Sequence, residues 1–285
     1  MGYKETYNRW LTSDVVDDDT KAELKSIENN EKEIEERFYR ELEFGTAGMR
    51  GIIGAGTNRI NIYNVRRASQ GVAKYVLSNG EDAAKAGVLI GYDTRNFSRT
   101  FAEETAKVLT CAGVKTYLFP IVHSVPEVSF GIRELGCSAG VMITASHNPK
   151  EYNGYKAYWD DGAQVVSPHD VNIIDYVNRI KDVTEIKFEP NPELIQIIGE
   201  DIDNQYIEEI AKLSLSPKII KKHSDLKIVY TPIHGTGKVL IPRSLERWGF
   251  RNIIHVPEQD VQSGDFPTVD SPNPENASAM AMAIK

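Results

Sequence analysis

The chain has 285 residues, a formal net charge of −8, and 41% hydrophobic and 26% charged residues, a composition typical of a globular protein of about two domains. The acidic balance and the lack of a long Lys/Arg block argue against a nucleic-acid partner. Every apolar run is far shorter than the ~20 residues of a membrane-spanning helix, so we expect no membrane partner either. The first residues lack a secretory signal pattern, and Cys111 and Cys137 lie in apolar surroundings without metal or redox spacing. We therefore expect a cytoplasmic protein with free, buried thiols.

The first two thirds of the chain begin with a charged segment and continue as alternating helices and strands. Recurring apolar positions predict a helix over residues 17–44, then a Gly-rich stretch and a second helix over about residues 64–77. Buried-type strands follow at GVLIGYD, VKTYLF and AGVMITA, separated by helices at SRTFAEETAKVLTCAG and SVPEVSFGIRELG. Continuous apolar strands separated by helices predict an α/β fold of three layers, with a mainly parallel mixed sheet flanked by helices.

The last third of the chain repeats the alternation of helices and strands, but with fewer elements. After a helix over about residues 168–180, the Pro- and acid-rich passage FEPNPELIQIIGEDIDN predicts a boundary between domains at 1–200 and 201–285. A helix (NQYIEEIAKLSL), a strand (LKIVYTP), a helix over 239–248, a strand (NIIHVP) and a final helix from SPNPENASAM follow. The chain ends inside this last helical pattern without a stop signal. We expect one complete domain plus an incomplete second α/β domain, that is, a fragment of a longer protein; a naturally short protein is the alternative.

A serine follows the strand GVMITA in the stretch VMITASHNPKEYNGYK. Ligands of parallel sheets gather beyond the carboxyl ends of strands, and Ser146 lies at such a place. His147, Lys156 and the more distant Arg50 are cationic or potentially so. Ser146 would be a nucleophile, or would carry a phosphoryl group whose charge these residues balance. The alternative is a turn serine that bonds its own backbone.

The residues around this serine fit none of three common motifs. Asn148 before Pro149 restricts the turn, and we expect Gly154 to let the backbone approach a ligand. A hydrolase elbow needs G-x-S-x-G, but Ala145 precedes Ser146. The stretch PIHGTGKVL lacks the residues of a phosphate loop, and the glycines of FGTAGMRG are not followed at once by a helix, so a dinucleotide fingerprint is weak.

The stretch TASHNPKEYNGYK resembles the phosphoserine loop of the α-D-phosphohexomutases, the phosphoglucomutase and phosphomannomutase family. Three further stretches resemble this family in the same order, FGTAGMRG, GYDTRNFS and YTPIHGTG, so that the resemblance covers Phe44 to about Gly237. The long N-terminal lead is most similar to the phosphoglucomutase branch that includes mammalian phosphopentomutase. One departure is HSVPEVSF, where Val125 precedes Pro126 and the family often has Thr-Pro.

The resemblance implies a protein of four domains, of which this chain has the first and part of the second. In the family the second domain carries a D-x-D-x-D-R loop for Mg²⁺, the third a sugar-binding loop and the fourth a phosphate-binding loop. None of these motifs occurs in the chain, and the acidic cluster from Asp14 to Lys21 has a different spacing. The remaining domains of the parent chain are therefore expected partners, and the fragment alone is expected to be inactive.

The resemblance also implies an isomerase that moves a phosphoryl group between C1 and C6 of a hexose phosphate, with glucose as the first choice. Phosphorylated Ser146 would donate to the free hydroxyl, with hexose 1,6-bisphosphate as intermediate and activator, and its phosphate would give one ligand of Mg²⁺. Lys156 and His147 would shuttle the hydroxyl proton, Lys156 being the stronger candidate. Arg50 and Asn148 would bind the phosphate or substrate.

Two further residues of these motifs, Arg95 and His234, have expected structural roles, and other functions remain open. We expect Arg95 to hold loops together rather than contact substrate, and His234 to order its own loop. Phosphopentomutase or phosphomannomutase activity remains open, because the sugar-selecting loop of the family is absent from the chain. A non-catalytic sugar-phosphate-binding module is the other alternative; the intact residues around Ser146 argue against it, and a serine hydrolase lacks its motif.

Overall fold

The N-terminal segment forms a group of three helices that packs beside the first sheet. The computed structural model describes residues 2–46 and 48–285. The three helices are α1 (Tyr3–Thr12), α2 (Asp18–Ser26) and α3 (Glu31–Phe38). The single helix expected over residues 17–44 is therefore wrong: the Asn30 side chain accepts a hydrogen bond from the Glu33 amide, caps α3 and separates it from α2. Helix α1 is not among the expected elements.

A six-stranded mixed sheet forms the centre of the first unit. Its strands are β1 (Met49–Ile52), β2 (Val88–Tyr92), β3 (Thr116–Leu118), β4 (Ala139–Ile143), β5 (Tyr152–Trp159) and β6 (Ile195–Ile197). The order is β1-β5-β4-β2-β3-β6. Strands β4, β2, β3 and β6 are parallel, whereas β5 runs antiparallel to both β4 and β1. The expected mainly parallel mixed sheet is confirmed, but β1, β5 and β6 are strands that the sequence pattern does not reveal.

Helices cover both faces of this sheet. They are α4 (Ile62–Ser78), α5 (Glu81–Ala86), α6 (Ser98–Cys111), α7 (Val125–Glu134) and α8 (His169–Arg179). Strand β2 shows the division of the core, because Val88 and Ile90 pack in the cluster with α4, α6 and α8, and Leu89 packs in the cluster with α7. The three-layer α/β architecture is thereby confirmed. Cys137 is buried in the α7 cluster, whereas Cys111 is only partly buried, contrary to expectation.

The second unit is smaller, and its first helix contacts both units. It contains α9 (Glu200–Ala211), α10 (Pro217–Lys222), β7 (Lys227–Tyr230), α11 (Gly237–Trp248), β8 (Asn252–His255) and α12 (Ala277–Ile284). Strands β7 and β8 form a separate parallel pair. Helix α9 packs on α7 of the first unit and on α11 of the second. Within the described residues, no helix is both long and apolar enough to cross a bilayer.

Candidate active site

Ser146 lies in an exposed turn three residues beyond the end of β4. Its φ angle is +57°, in the left-handed region that residues with side chains seldom occupy. The Ser146 amide donates to Thr144 Oγ1 at 3.0 Å, which anchors this strained backbone. Within the described residues its Oγ has one contact, with His147 Nδ1 at 3.3 Å. The hydroxyl is therefore presented to solvent rather than bonded to its own backbone, as a group that reacts with a ligand requires.

Arg95 holds the loop that carries Ser146. Its guanidinium donates to four backbone carbonyls, those of Ser146 at 2.8 Å, Asn148 at 2.6 Å, Pro149 at 2.9 Å and Tyr152 at 3.0 Å. The side chain is 3% exposed. The expected structural role of Arg95 is confirmed, because all four contacts are to the backbone of one loop. Its positive charge also lies directly beneath that loop, where an anion on Ser146 would benefit from it.

Asp93 contacts both the backbone and the side chain of Arg95, and it is not among the predicted site residues. One carboxylate oxygen accepts from the Arg95 amide at 2.9 Å and from the Ser98 hydroxyl at 2.7 Å, and the other lies 3.4 Å from Arg95 Nε. Burial raises the pKa of Asp93, and these hydrogen bonds oppose that rise. Burial lowers the pKa of Arg95, and the charge of Asp93 opposes that fall. A polar residue directly after a buried parallel strand, as in GYD, is the signal that points to Asp93.

Strands β5 and β1 bring the expected cations to the same edge. Lys156 on β5 lies opposite Met142 of β4, and Arg50 on β1 lies opposite Gly154 of β5. Arg50 donates to Asn148 Oδ1 at 3.1 Å, which joins β1 to the serine loop across 98 positions of sequence. The structure thus brings Arg50, Asn148, His147 and Ser146 together at one sheet edge.

Lys156 is a partly buried cation of this site. Its pKa is lowered, first by partial burial and then by the positive charge of Arg50, while the carboxylate of Asp93 acts in the opposite direction. Arg50 and Asp93, the two charged groups that shift this pKa, belong to the same site as Ser146. A lowered pKa increases the fraction of neutral amine at a given pH, which is the form that accepts a proton.

Gly154 serves strand packing, whereas its expected role in admitting a ligand stays a prediction. A Cβ atom at this position would lie 2.5 Å from the carbonyl oxygen of Thr144 and 2.9 Å from that of Met49. These oxygens belong to the two strands on either side of β5. The glycine therefore lets β4 and β1 approach β5 closely, which brings the serine loop and the Arg50 loop together.

A loop of the second unit closes one side of the site. His234 is fully buried, with Nδ1 2.7 Å from the Val261 carbonyl and Nε2 2.8 Å from Thr268 Oγ1, so its side chain joins its own loop to the loop that follows β8 instead of bonding only within its own loop. The loop after β8 reaches the first unit, where Ser271 Oγ donates to the His147 carbonyl at 3.2 Å. The second unit is thus in direct contact with the serine loop.

The described residues at this edge do not form a complete Mg²⁺ site. Mg²⁺ prefers six oxygen ligands in octahedral geometry, usually with carboxylates among them. Ser146 offers one exposed oxygen, and the carboxylate of Asp93 is already occupied by Arg95 and Ser98. The neighbouring groups Arg50, Lys156 and His147 are bases rather than oxygen ligands. The edge therefore suits a phosphate or another anion better than a cation.

Comparisons with known proteins agree with this geometry. The family model described as phosphoglucomutase/phosphomannomutase, alpha/beta/alpha domain I, matches residues 41–184, and that of domain II matches residues 204–285. Curated relatives include a "Probable phosphoribomutase" of Schizosaccharomyces pombe, 38% identical over 99% of the chain and 49% of the relative. They also include a phosphoglucomutase of Staphylococcus haemolyticus, 40% identical over 88% of the chain and 45% of the relative.

A third relative and a solved structure extend the comparison. The glucose 1,6-bisphosphate synthase of Mus musculus is 35% identical over 95% of the chain and 45% of its own length. A phosphoglucomutase/phosphomannomutase family protein of Burkholderia thailandensis has a TM-score of 0.63 at 19% identity, over 85% of the chain and 48% of that structure; this likeness shows the fold alone. The chain spans about half the length of the curated relatives that it matches.

Proposed function

The chain belongs to the phosphoglucomutase/phosphomannomutase family, and from that premise we propose that it forms part of a phosphomutase in which Ser146 carries the phosphoryl group. The observation that supports this role best is the strained, exposed turn of Ser146 above the buried guanidinium of Arg95. A cation fixed beneath a serine loop compensates the charge of a phosphate on that serine.

In the proposed reaction, the phosphoryl group moves from Ser146 Oγ to a free hydroxyl of a hexose monophosphate. The P–O bond to Ser146 breaks, a P–O bond to the sugar oxygen forms, and the hydroxyl proton leaves to a base. The product is a hexose 1,6-bisphosphate, whose other phosphate returns to Ser146 after the sugar has turned over. Each half of the cycle conserves phosphate, so that a small amount of bisphosphate suffices as activator.

Four side chains have roles in this proposal that follow from their positions. Lys156, with its lowered pKa, accepts the hydroxyl proton and returns it in the reverse step. His147, 3.3 Å from Ser146 Oγ, exchanges the proton of the serine when the phosphate is absent. Arg50 and Asn148, joined to each other at 3.1 Å, bind phosphate oxygens of the substrate.

Mg²⁺ and the substrate complete the proposal. The phosphate on Ser146 would give Mg²⁺ one oxygen, and the other ligands would come from the remaining domains of the parent protein; when bound, the ion spreads the charge of the transferring group. Glucose phosphate is the preferred substrate, because the phosphoglucomutase relative is 40% identical. A pentose phosphate is the second candidate, because the relative named a phosphoribomutase matches 99% of the chain. We place the protein in the cytoplasm, where the thiol of Cys137 stays reduced.

The test is to map the phosphate after incubation with glucose 1,6-bisphosphate, by mass spectrometry of the complete product of the source gene. We expect one phosphate on Ser146, none in Ser146→Ala, and conversion of glucose 1-phosphate to glucose 6-phosphate only by the wild type. Residues 1–285 alone are expected to show no such turnover. Phosphate on another residue of an active enzyme, with Ser146 unmodified, would contradict the proposal, as would turnover by Ser146→Ala.

A further inference from the structure

Three ionisable side chains are buried together where α7 meets α9. This buried triad consists of His123, just before α7, Glu127 in the first turn of α7, and Asp203 on α9, and their exposed fractions are 3%, 2% and 6%. One ligand atom from each lies within 4.8 Å of the others. The triad includes none of the residues to which the proposed phosphoryl transfer assigns a role. Two buried carboxylates facing one imidazole need a compensating charge. Arg243 Nη1 lies 3.8 Å from Asp203 Oδ2, the oxygen that does not contact His123.

The hydrogen bonds of His123 show where that charge must lie. Nδ1 lies 2.8 Å from the carbonyl oxygen of Ile121, which can only accept, so the hydrogen of the neutral ring is on Nδ1. Nε2 then carries a lone pair, yet it lies 2.9 Å from Asp203 Oδ1. Two acceptors at this distance repel each other unless a cation lies between them. That cation is either a proton or a metal ion.

The contacts of Glu127 favour a metal ion over a proton at this position. Its Oε2 accepts from the Ser124 amide at 2.8 Å, but its buried Oε1 has no hydrogen-bond partner in the described part of the chain. That oxygen lies 3.9 Å from His123 Nε2. A proton on Nε2 would serve Asp203 and leave the Glu127 oxygen unpaired, at a large desolvation cost. A divalent cation between the three atoms would serve all of them.

We propose that the buried triad binds one divalent transition-metal ion, Zn²⁺ in the first place, through His123 Nε2, Glu127 Oε1 and Asp203 Oδ1. One imidazole and two carboxylates are ligands that Zn²⁺ accepts, at about 2.0–2.2 Å each, and three protein ligands leave a position for water. The imidazole argues against Mg²⁺ and Ca²⁺, which take oxygen ligands.

The surroundings of the triad suit such a site. The Ile121 carbonyl fixes the ring tautomer of His123, and the Ser124 amide orients Glu127; hydrogen bonds of this kind hold the ligands of metal sites in place. Ser124 and Glu127 also line a cavity of about 330 Å³ between α7, α9 and α11. The bound ion would join α7 of the first unit to α9, the helix that leads into the second.

The test is a metal titration of the 285-residue chain after removal of metal with a chelator. We expect one Zn²⁺ per chain in competition with a chromophoric chelator, and a visible absorption band when Co²⁺ is the probe. Glu127→Gln and Asp203→Asn, which keep the shape of each side chain, should each weaken Zn²⁺ binding at least tenfold. His223→Ala, which removes an exposed histidine, and Ser146→Ala should leave it unchanged.

Folding and binding are separated by circular dichroism and thermal unfolding of the metal-free variants. A chain that is folded but takes up no Zn²⁺ would overturn the proposal, and so would undiminished binding in the folded double variant Glu127→Gln, Asp203→Asn. Because Ser146→Ala abolishes the proposed phosphoryl transfer and leaves the triad intact, failure of one proposal is distinguished from failure of the other.

Discussion

Replacing Arg95 by Lys tests whether one buried guanidinium holds the serine loop. The wild-type side chain donates to four backbone carbonyls of that loop. A lysine ammonium is a single point of charge and would reach about two of them. Hydrogen bonds of charged groups contribute about 1.5–3 kcal/mol each, so the loss of two lowers the free energy of unfolding by at least about 3 kcal/mol.

The assay is urea unfolding of Arg95→Lys beside the wild type, with amide hydrogen exchange of residues 145–152. We expect faster exchange in that loop, and slower phosphorylation of Ser146 in the complete protein, because the turn of Ser146 loses its support. The matched control is Arg99→Lys, because Arg99 is an exposed arginine whose partner is Glu103, one helical turn away; it should change stability little. An Arg95→Lys protein with wild-type stability and loop exchange would refute the reasoning.

Three further predictions concern the site and its support. In the complete enzyme, Lys156→Ala should lower kcat by about 10²–10⁴-fold with a smaller change in KM. In a pH profile of kcat/KM, the limb that rises as Lys156 loses its proton should lie below pH 10.5. This limb should move to higher pH in Arg50→Ala, because the positive charge of Arg50 lowers the Lys156 pKa. Gly154→Ala should lower the free energy of unfolding in urea by about 1–3 kcal/mol, because its Cβ would lie 2.5 Å from a carbonyl oxygen. Gly45→Ala is the control and should change stability little, because its Cβ would have no atom nearer than 3.9 Å. Equal stabilities of the two variants would contradict this account. Burial raises the pKa of the Cys137 thiol to about 12, so a thiol reagent at pH 8 should leave Cys137 unmodified until the protein unfolds, and rapid native-state labelling would show that it is accessible.

The elements that the sequence predicts are those with a strong local pattern. Strands β2 and β4 are continuous apolar runs, and α4 and α6 have clear helical periodicity, so local residues suffice to identify them. Strand β5 has the mixed sequence YNGYKAYW, in which buried Tyr155 and Ala157 alternate with the partly buried Lys156. It is a strand because β4 and β1 pair with it on both sides, and that information is not local.

Some site residues are likewise predicted from local sequence, and others depend on distant contacts. Ser146 is predicted from its place after a buried strand and from the motif around it, and His147 and Lys156 are predicted from the same motif. The contact of Arg50 with Asn148, across 98 positions of sequence, depends on the pairing of β1 with β5. The buried triad is also beyond sequence reasoning, since Asp203 is 80 positions from His123 and meets it only through the packing of α9 on α7.

Helix α9 has a consequence for any attempt to divide the chain into independently folding pieces. Its Ile202 is buried in the same apolar cluster as Phe119 and Val128 of the first unit, while its outer side carries the ion pair from Glu208 to Arg247 of α11. A chain cut after residue 200 would open the cluster beneath α7 to water and remove Asp203 from His123. We therefore expect the first unit to lose stability when α9 is removed, and a shortened version intended for calorimetry or spectroscopy should end after Ala211.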